Sequence, residues 1–213
     1  MIQSPDVAEA SWQDQLRAAV SPLDSGVALL EIRGYRPVPV GQESYRPRKT
    51  AAVLVPLLNL DQPEVVLTRR ADHLPQHAGQ VSFPGGAAEA GDPSAVHTAL
   101  REAFEEIGLP REQTTPIGFL DRLDTISDYR VLPVVALVNP PVVWKPDQRE
   151  VAEVFTVPLA FVINLEHYEN RPVVRAGVEY SIWYLQYQRH TIWGATASML
   201  LNLALRFKDA GNA

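Results

Sequence analysis

The stretch from Gly85 to Leu109, GGAAEAGDPSAVHTALREAFEEIGL, limits what this chain can fold into more than any other segment. It opens on a glycine pair, passes through Asp92-Pro93 and closes on Arg101-Glu102-Ala103-Phe104-Glu105-Glu106-Ile107-Gly108-Leu109. Asp is a favoured N-cap and Pro suits the first helical turn, so the spacing predicts a helix beginning at Asp92-Pro93. Gly108 and Pro110 predict its end. Ala99, Leu100, Ala103, Phe104 and Ile107 give the helix an apolar side. Glu102, Glu105 and Glu106 stand at i, i+3 and i+4 and therefore share a face. On a bare helix such carboxylates repel one another by a few tenths of a kcal/mol per pair. A hard divalent cation removes that repulsion, and Mg²⁺ is usually held by one or two carboxylates together with substrate phosphates. The segment reads as a metal platform for phosphate chemistry.

The flanking sequence supplies strands. Ala51–Leu58 and Glu64–Arg69 are apolar, β-branched runs separated by turn-like residues 59–63, and both read as buried strands. Gln80–Phe83 is a short strand leading into the glycine pair. Beyond the helix, Ile117–Leu120 and Val131–Val138 read as strands around a loop, Asp121–Arg130, and Val151–Val157 as another, with Pro158–Val162 opening a short helix. Val173–Val178 and Tyr180–Gln188 suggest a hairpin around Glu179. Thr191–Phe207 carries Ala195, Met199, Leu200, Leu203 and Phe207 near one face and predicts a last helix. Near the start, residues 7–20 have helical spacing suited to a packing or dimer-contact element. Gly34–Lys49, with Pro37, Pro39 and the basic Arg46, Arg48 and Lys49, reads as a solvated linker.

Composition excludes more than it selects. A chain of 213 residues that is 46% hydrophobic can bury a core and suits one domain with decorations. With 19 basic against 25 acidic residues the net charge is -6, which argues against a nucleic-acid partner. An anionic substrate is compatible with that charge once a bound cation dominates the local field. The absence of cysteine rules out disulfides, thiolate zinc sites and cysteine nucleophiles. No apolar run reaches the ~18 residues of a membrane span, and Asp6, Glu9, Asp14 and Arg17 interrupt the start where a signal peptide needs an apolar region. A soluble cytoplasmic protein is expected, with no membrane partner.

The Gly85–Leu109 pattern resembles the Nudix box, Gly-x5-Glu-x7-Arg-Glu-(apolar)-x-Glu-Glu-x-Gly-(apolar). Gly86 is its first glycine, Asp92 stands at its first acidic position, and eight residues separate Asp92 from Arg101; Arg101 to Leu109 match at every specified position. Upstream, Leu67-Thr68-Arg69-Arg70-Ala71 and Gly79-Gln80-Val81-Ser82-Phe83-Pro84-Gly85-Gly86 resemble the signature of the coenzyme A pyrophosphatase branch, Leu-Leu-Thr-x-Arg-(Ser/Ala)-x3-Arg-x3-Gly-x3-Phe-Pro-Gly-Gly. Val66 replaces its first Leu and Pro75 its second Arg. An arginine can hold phosphate in a bidentate fork and a proline cannot. Ile192–Ala197 is similar to a segment near the C-terminus of the same branch.

This resemblance implies an α/β fold, a Nudix α/β/α sandwich with a mixed sheet between helices. It divides the chain into an N-terminal helix and linker (1–47), the Nudix domain (48–207) and a tail (208–213). It implies Mg²⁺ or Mn²⁺ held by Glu102 and Glu106, with Glu105 as a third carboxylate and the Gly85 carbonyl, and Arg101 as the group that orients a box carboxylate. The general base is sought among Glu105, Glu150 and Glu153, with Glu89 behind them. Arg69, Arg70, Gln80 and Ser82 are the candidate substrate contacts; as strand neighbours, Arg69 and Arg70 should face opposite ways, so at most one meets a phosphate directly. His73 and His77 read as loop residues or phosphate ligands, and Tyr129 and Trp193 as core residues or adenine platforms. The implied reaction is hydrolysis of the phosphoanhydride of coenzyme A or acyl-coenzyme A. Hydrolysis of ADP-ribose, NADH or another nucleoside diphosphate derivative stays open, as does a non-catalytic ligand sensor. A homodimer is the family-based expectation.

Overall fold

The computed structural model describes residues 11–24, 49–125, 127–175 and 178–211, without the side chains of 175 and 178–180. In chain order its elements are α1 (Trp12–Ala19), β1 (Lys49–Leu58), β2 (Glu64–Arg70), β3 (Val81–Ser82), β4 (Gly85–Ala87), α2 (Ala95–Ile107), β5 (Thr114–Phe119), β6 (Leu123–Asp124), β7 (Tyr129–Val138), β8 (Val151–Pro158), α3 (Leu159–Val162), β9 (Tyr168–Arg175), β10 (Val178–Tyr187), β11 (His190–Trp193) and α4 (Gly194–Gly211). No described helix is long and apolar enough to cross a membrane. The linker stretch Gly34–Lys49, apart from Lys49, lies outside the described residues.

β1 organises the molecule. It runs parallel to β7 along its whole length, from Lys49 beside Tyr129 to Leu58 beside Val138. Its other edge is shared: Leu57 and Leu58 pair antiparallel with β2, while Ala51–Val53 pair antiparallel with β4. With β5 beyond β7, and β3 and β8 on β2, the result is a mixed sheet. Side chains of β1 alternate between its faces. Ala52 and Leu54 join Val66, Val134 and Ala136 beneath Ala99, Ala103 and Ile107 of α2. Val55 and Leu57 join Val65, Leu67 and Val135 beneath Leu16 of α1 and Leu200 and Leu203 of α4. The arrangement is an α/β/α sandwich. The N-terminal helix is packed, with Arg206 of α4 donating to the Ala19 carbonyl at 3.0 Å.

Several boundaries differ from the sequence reading. The N-cap of α2 is Ser94, whose hydroxyl accepts from the His97 N–H, and not Asp92. Phe104 is exposed, whereas Ala99, Leu100, Ala103 and Ile107 are buried in the cluster between α2 and the sheet. The expected loop 121–130 contains the short strand β6. Residues 190–193 form a strand paired with Tyr184–Tyr187, and α4 begins at Gly194 and continues past Phe207 to Gly211. The β9–β10 pairing sets Val178 opposite Arg175 and Glu179 opposite Val174, so Glu179 lies within β10 and is not the hairpin's centre. This second, three-stranded sheet (β11-β10-β9) borders the cavity described next.

Candidate active site

The glycine pair is pinned to the middle of the sheet, Gly85 opposite Val53 and Gly86 opposite Ala52. A Cβ at Gly85 would lie 2.5 Å from the Ala52 carbonyl oxygen, and one at Gly86 would strike the Glu102 carboxylate. Backbone and carboxylates can therefore approach only because both positions lack side chains. The helix end is fixed as well: Gly108 adopts φ 67°, and its N–H reaches the Ala103 and Phe104 carbonyls.

Glu106 is the electrostatic centre of this arrangement. Its side chain is 5% exposed, its Oε2 accepts the Gly85 N–H at 3.2 Å and its Oε1 lies 4.0 Å from Arg70 Nη1. Burial pushes its carboxyl up to about 8; the Gly85 N–H and Arg70 oppose the rise, and the charges of Glu102 and Glu150 add to it. Glu102 is also raised, first by burial, with Arg101 opposing.

Arg101 gathers the remaining carboxylates. It donates to both oxygens of Asp92 at 3.2 and 2.9 Å, to Glu102 at 3.0 Å, to Glu105 at 3.1 Å and to the Ala87 carbonyl at 3.2 Å. Asp92 also accepts from the Glu89 N–H and the Thr98 hydroxyl. The Arg101 contacts, then the Glu89 N–H and Thr98, hold Asp92 well below the usual carboxylate range. Glu102 and Glu106 come together at the glycine pair, whereas Glu105 is drawn aside by Arg101 and is 55% exposed. Among the described residues no three Asp, Glu or His side chains converge at metal-holding spacing. The donor chemistry nevertheless fits a hard divalent ion: two partly or wholly buried carboxylates, short of positive charge, beside a backbone turn that has no room for a side chain.

The other candidates separate into two groups. Glu150 is exposed, and its charge bears on both Glu102 and Glu106. Glu153 is held elsewhere, by Arg189 at 2.5 Å, His190 at 3.7 Å and Arg69 at 3.9 Å. Arg69 also binds Asp72 at 2.5 Å. A register shift between Arg69 and Arg70 in the β2–β8 pairing separates the two arginines, and Arg70 alone faces the cavity. Its Nε is buried without a partner.

That cavity, about 570 Å³, lies on the α4 side of the sheet and reaches Gly85. Arg70, Gln80 and Ser82 line it, and His77, which also lines it, bonds Gln80 at 2.9 Å. Ser82 shares a 3.0 Å hydroxyl contact with Thr68. Trp193 lines it too and stacks on Tyr184. Tyr129 packs against the core with Lys49 over its ring, and His73 meets the Arg149 carbonyl. Val173, Ser181 and Ile182 on β9 and β10, and Thr196 and Met199 on α4, are wall residues that the sequence reading missed. Thr196 falls in the branch-like Ile192–Ala197 segment and Met199 on the apolar face of the last helix, but no local signal marks Val173, Ser181 or Ile182, which lie far from the box in sequence.

The NUDIX domain profile matches residues 48–177. A protein of Enterobacter sp. (strain 638) named Uncharacterized Nudix hydrolase NudL is 40% identical over 159 residues, covering 75% of this chain and 83% of its own length. Its namesake in Salmonella newport (strain SL254) is 41% identical over 159 residues, with coverage of 75% and 83%. Among solved structures, a C. elegans Ap4A hydrolase binary complex shares 24% identity at a TM-score of 0.45, covering 52% of this chain and 80% of that one. A Nudix hydrolase from M. smegmatis, RenU, shares 26% identity at a TM-score of 0.45, covering 55% and 74%. The chain belongs to the Nudix family of hydrolases.

Proposed function

We propose that this protein is a divalent-metal-dependent pyrophosphatase that cuts the phosphoanhydride of coenzyme A or acyl-coenzyme A, giving 3′,5′-ADP and (acyl-)4′-phosphopantetheine. The observation that carries the reading is the buried Glu106 carboxylate, set between Gly85 and Arg70 where a large cavity reaches the glycine pair. Preference for coenzyme A is supported by the upstream signature, whose Arg70, Phe83 and Gly85 line that cavity together with the intervening Gln80 and Ser82.

Glu102, Glu106 and the Gly85 carbonyl are the oxygen donors that would hold Mg²⁺ or Mn²⁺. When bound, the ion neutralises diphosphate oxygens and polarises the phosphorus toward attack. The residues of the chain do the rest. Arg101 and the Gly85 N–H fix the orientations of Glu102 and Glu106. Arg70, with an unbonded Nε and a guanidinium edge toward Glu106, is the cation on the cavity wall that meets a diphosphate oxygen. Glu150, exposed yet close enough to influence both box carboxylates, takes the proton of the attacking water. Glu105 stays bound to Arg101, and Glu153 braces β8 against Arg69 of β2 and His190 of β11.

Pro75, in place of the signature arginine, favours a second reading in which ADP-ribose, NADH or a related nucleoside diphosphate derivative is preferred. A product-resolved hydrolysis screen with Mg²⁺ and Mn²⁺, run on coenzyme A, ADP-ribose, NADH and diadenosine polyphosphates, decides between them. Release of 3′,5′-ADP at the highest catalytic efficiency supports the first reading. Preference for ADP-ribose or NADH supports the second, and ligand binding without any turnover refutes both.

A further inference from the structure

Away from the box carboxylates, a second cavity of about 350 Å³ lies between α2 and the sheet. Its walls include Thr50 and Ala52 of β1, Thr98 of α2, Arg130 and Leu132 of β7, and Arg122 from the segment before β6. Two other charged groups on this wall are paired. Asp92 is bound by Arg101 at 3.2 and 2.9 Å, and Arg130 makes a bidentate pair with Asp124 at 2.8 and 2.9 Å.

Arg122 differs from both. Its Nε is buried with no hydrogen-bond partner, and among the described residues no carboxylate pairs with it. A guanidinium is always charged and can only donate, so burying its N–H groups unbonded is unfavourable, and an oxyanion is the natural relief. The Thr50 side chain on the same wall offers a hydroxyl donor.

We propose that Arg122 makes this cavity a binding site for a phosphate monoester. On the functional reading above, the group it takes is the 3′-phosphate of coenzyme A. Thr98 on the cavity wall stands four residues before Glu102, on the same face of α2. Ala52, also on the wall, pairs with Gly86. The cavity therefore lies about one helical turn, ~5.4 Å, from the carboxylates that act on the diphosphate. In coenzyme A only the ribose separates these two phosphate groups, so one ligand can span both places. Arg122 is then the residue that distinguishes coenzyme A from substrates without a 3′-phosphate.

The test compares the full chain with Arg122→Met on coenzyme A and on 3′-dephospho-coenzyme A. In parallel, the thermal midpoints of both metal-free proteins are followed as inorganic phosphate is added. The expected result is a fall of about tenfold or more in kcat/KM for coenzyme A, mainly through KM, with dephospho-coenzyme A unaffected. Arg122→Lys should restore part of the loss. If the substrate ratio is unchanged but Arg122→Met abolishes a phosphate-dependent rise in midpoint, the site stands and its phosphate comes from a separate ligand. If neither quantity responds to the substitution, the proposal is overturned. Should the wild type turn over neither substrate, the functional reading fails, and the phosphate titration alone decides the site. Because Arg122 has no ion pair among the described residues and its Nε is unbonded, Arg122→Met is expected to fold with a midpoint near that of wild type.

Discussion

Glu106→Gln should stabilise the metal-free protein, and increasingly so as the pH rises. Burial holds the Glu106 carboxyl at about 8, against an ordinary value of 4.5. Between these values the folded state keeps a proton that the unfolded state has released, so stability falls as pH increases. Below about 4.5 the group is protonated in both states and costs nothing. Above about 8 it is ionised in both, and the full penalty applies. Each pH unit inside the window removes about 1.4 kcal/mol, so from pH 5 to pH 8 the loss approaches roughly 4 kcal/mol at most, softened by entering water and by movement of Glu102. For a chain of this size, about 1 kcal/mol corresponds to about 2–4 °C in midpoint. Gln keeps the oxygen that accepts from the Gly85 N–H but cannot ionise.

The assay is the thermal midpoint of both proteins in chelator at pH 5, 6, 7 and 8. The difference between variant and wild type cancels other titrating groups and isolates Glu106. It should grow from near zero to several degrees across the series. Adding Mg²⁺ at pH 8 should raise the midpoint of wild type far more than that of the variant, since ligand at about 100 times its Kd contributes about 2.7 kcal/mol. A difference that stays flat with pH would refute the argument that burial controls this carboxylate.

Four other expectations follow from particular contacts. Glu150→Gln should lower kcat about a hundredfold in steady-state hydrolysis assays, while Glu153→Gln leaves kcat within a few-fold and shifts stability by no more than about 1 kcal/mol. Asp92→Asn should weaken the anchor of Arg101 and cost about 10–100-fold in metal-dependent turnover, read from Mg²⁺ titrations of activity. Pro75→Arg should lower KM for coenzyme A about tenfold, and an unchanged KM would show that this loop does not reach the substrate. Gly108→Ala should destabilise by about 1 kcal/mol or more in chemical denaturation, because φ 67° is left-handed and the new Cβ would lie 2.7 Å from Lys145 Cβ.

What could be read in the sequence is what depends on near neighbours. The Glu102 and Glu106 spacing, the glycine pair and the strands at 51–58 and 131–138 all follow from local periodicity, and the structure contains them. The cap of α2 was misread because Asp92-Pro93 and Ser94 both carry start signals; Arg101, two turns into the helix, takes the Asp92 carboxylate and leaves the cap to Ser94. Residues 191–193 read as helix because the apolar spacing of α4 extends back through Ile192. Pairing with β10 takes these residues instead, and Gly194, at φ 63°, turns the chain into the helix. The buried Asp121–Asn202–Arg206 network was beyond local reading, since Asn202 and Arg206 meet Asp121 from more than eighty residues away. Arg122 was equally silent, because an arginine in a loop looks solvated until the enclosure of its Nε is seen.

The two arginines near the box show why the helix needs more than its own sequence. Arg101 faces Glu89, Asp92, Glu102 and Glu105, and Arg70 faces Glu106, so five carboxylates share two guanidiniums. The shortage is not distributed evenly. Asp92 is held ionised by its contacts, and Glu105 is largely open to water, while Glu106 is enclosed and bears the charges of Glu102 and Glu150. Two ways of relieving that excess are chemically available: protonation of Glu106, or a divalent cation between Glu106 and Glu102. They compete for the same carboxylate oxygens, so metal affinity should rise with pH over the interval in which metal-free stability falls. An overall charge of -6 is then no obstacle to an anionic substrate. Repulsion is concentrated where a cation can reverse it, and Arg70 and Arg122 supply positive charge on the walls of the two cavities.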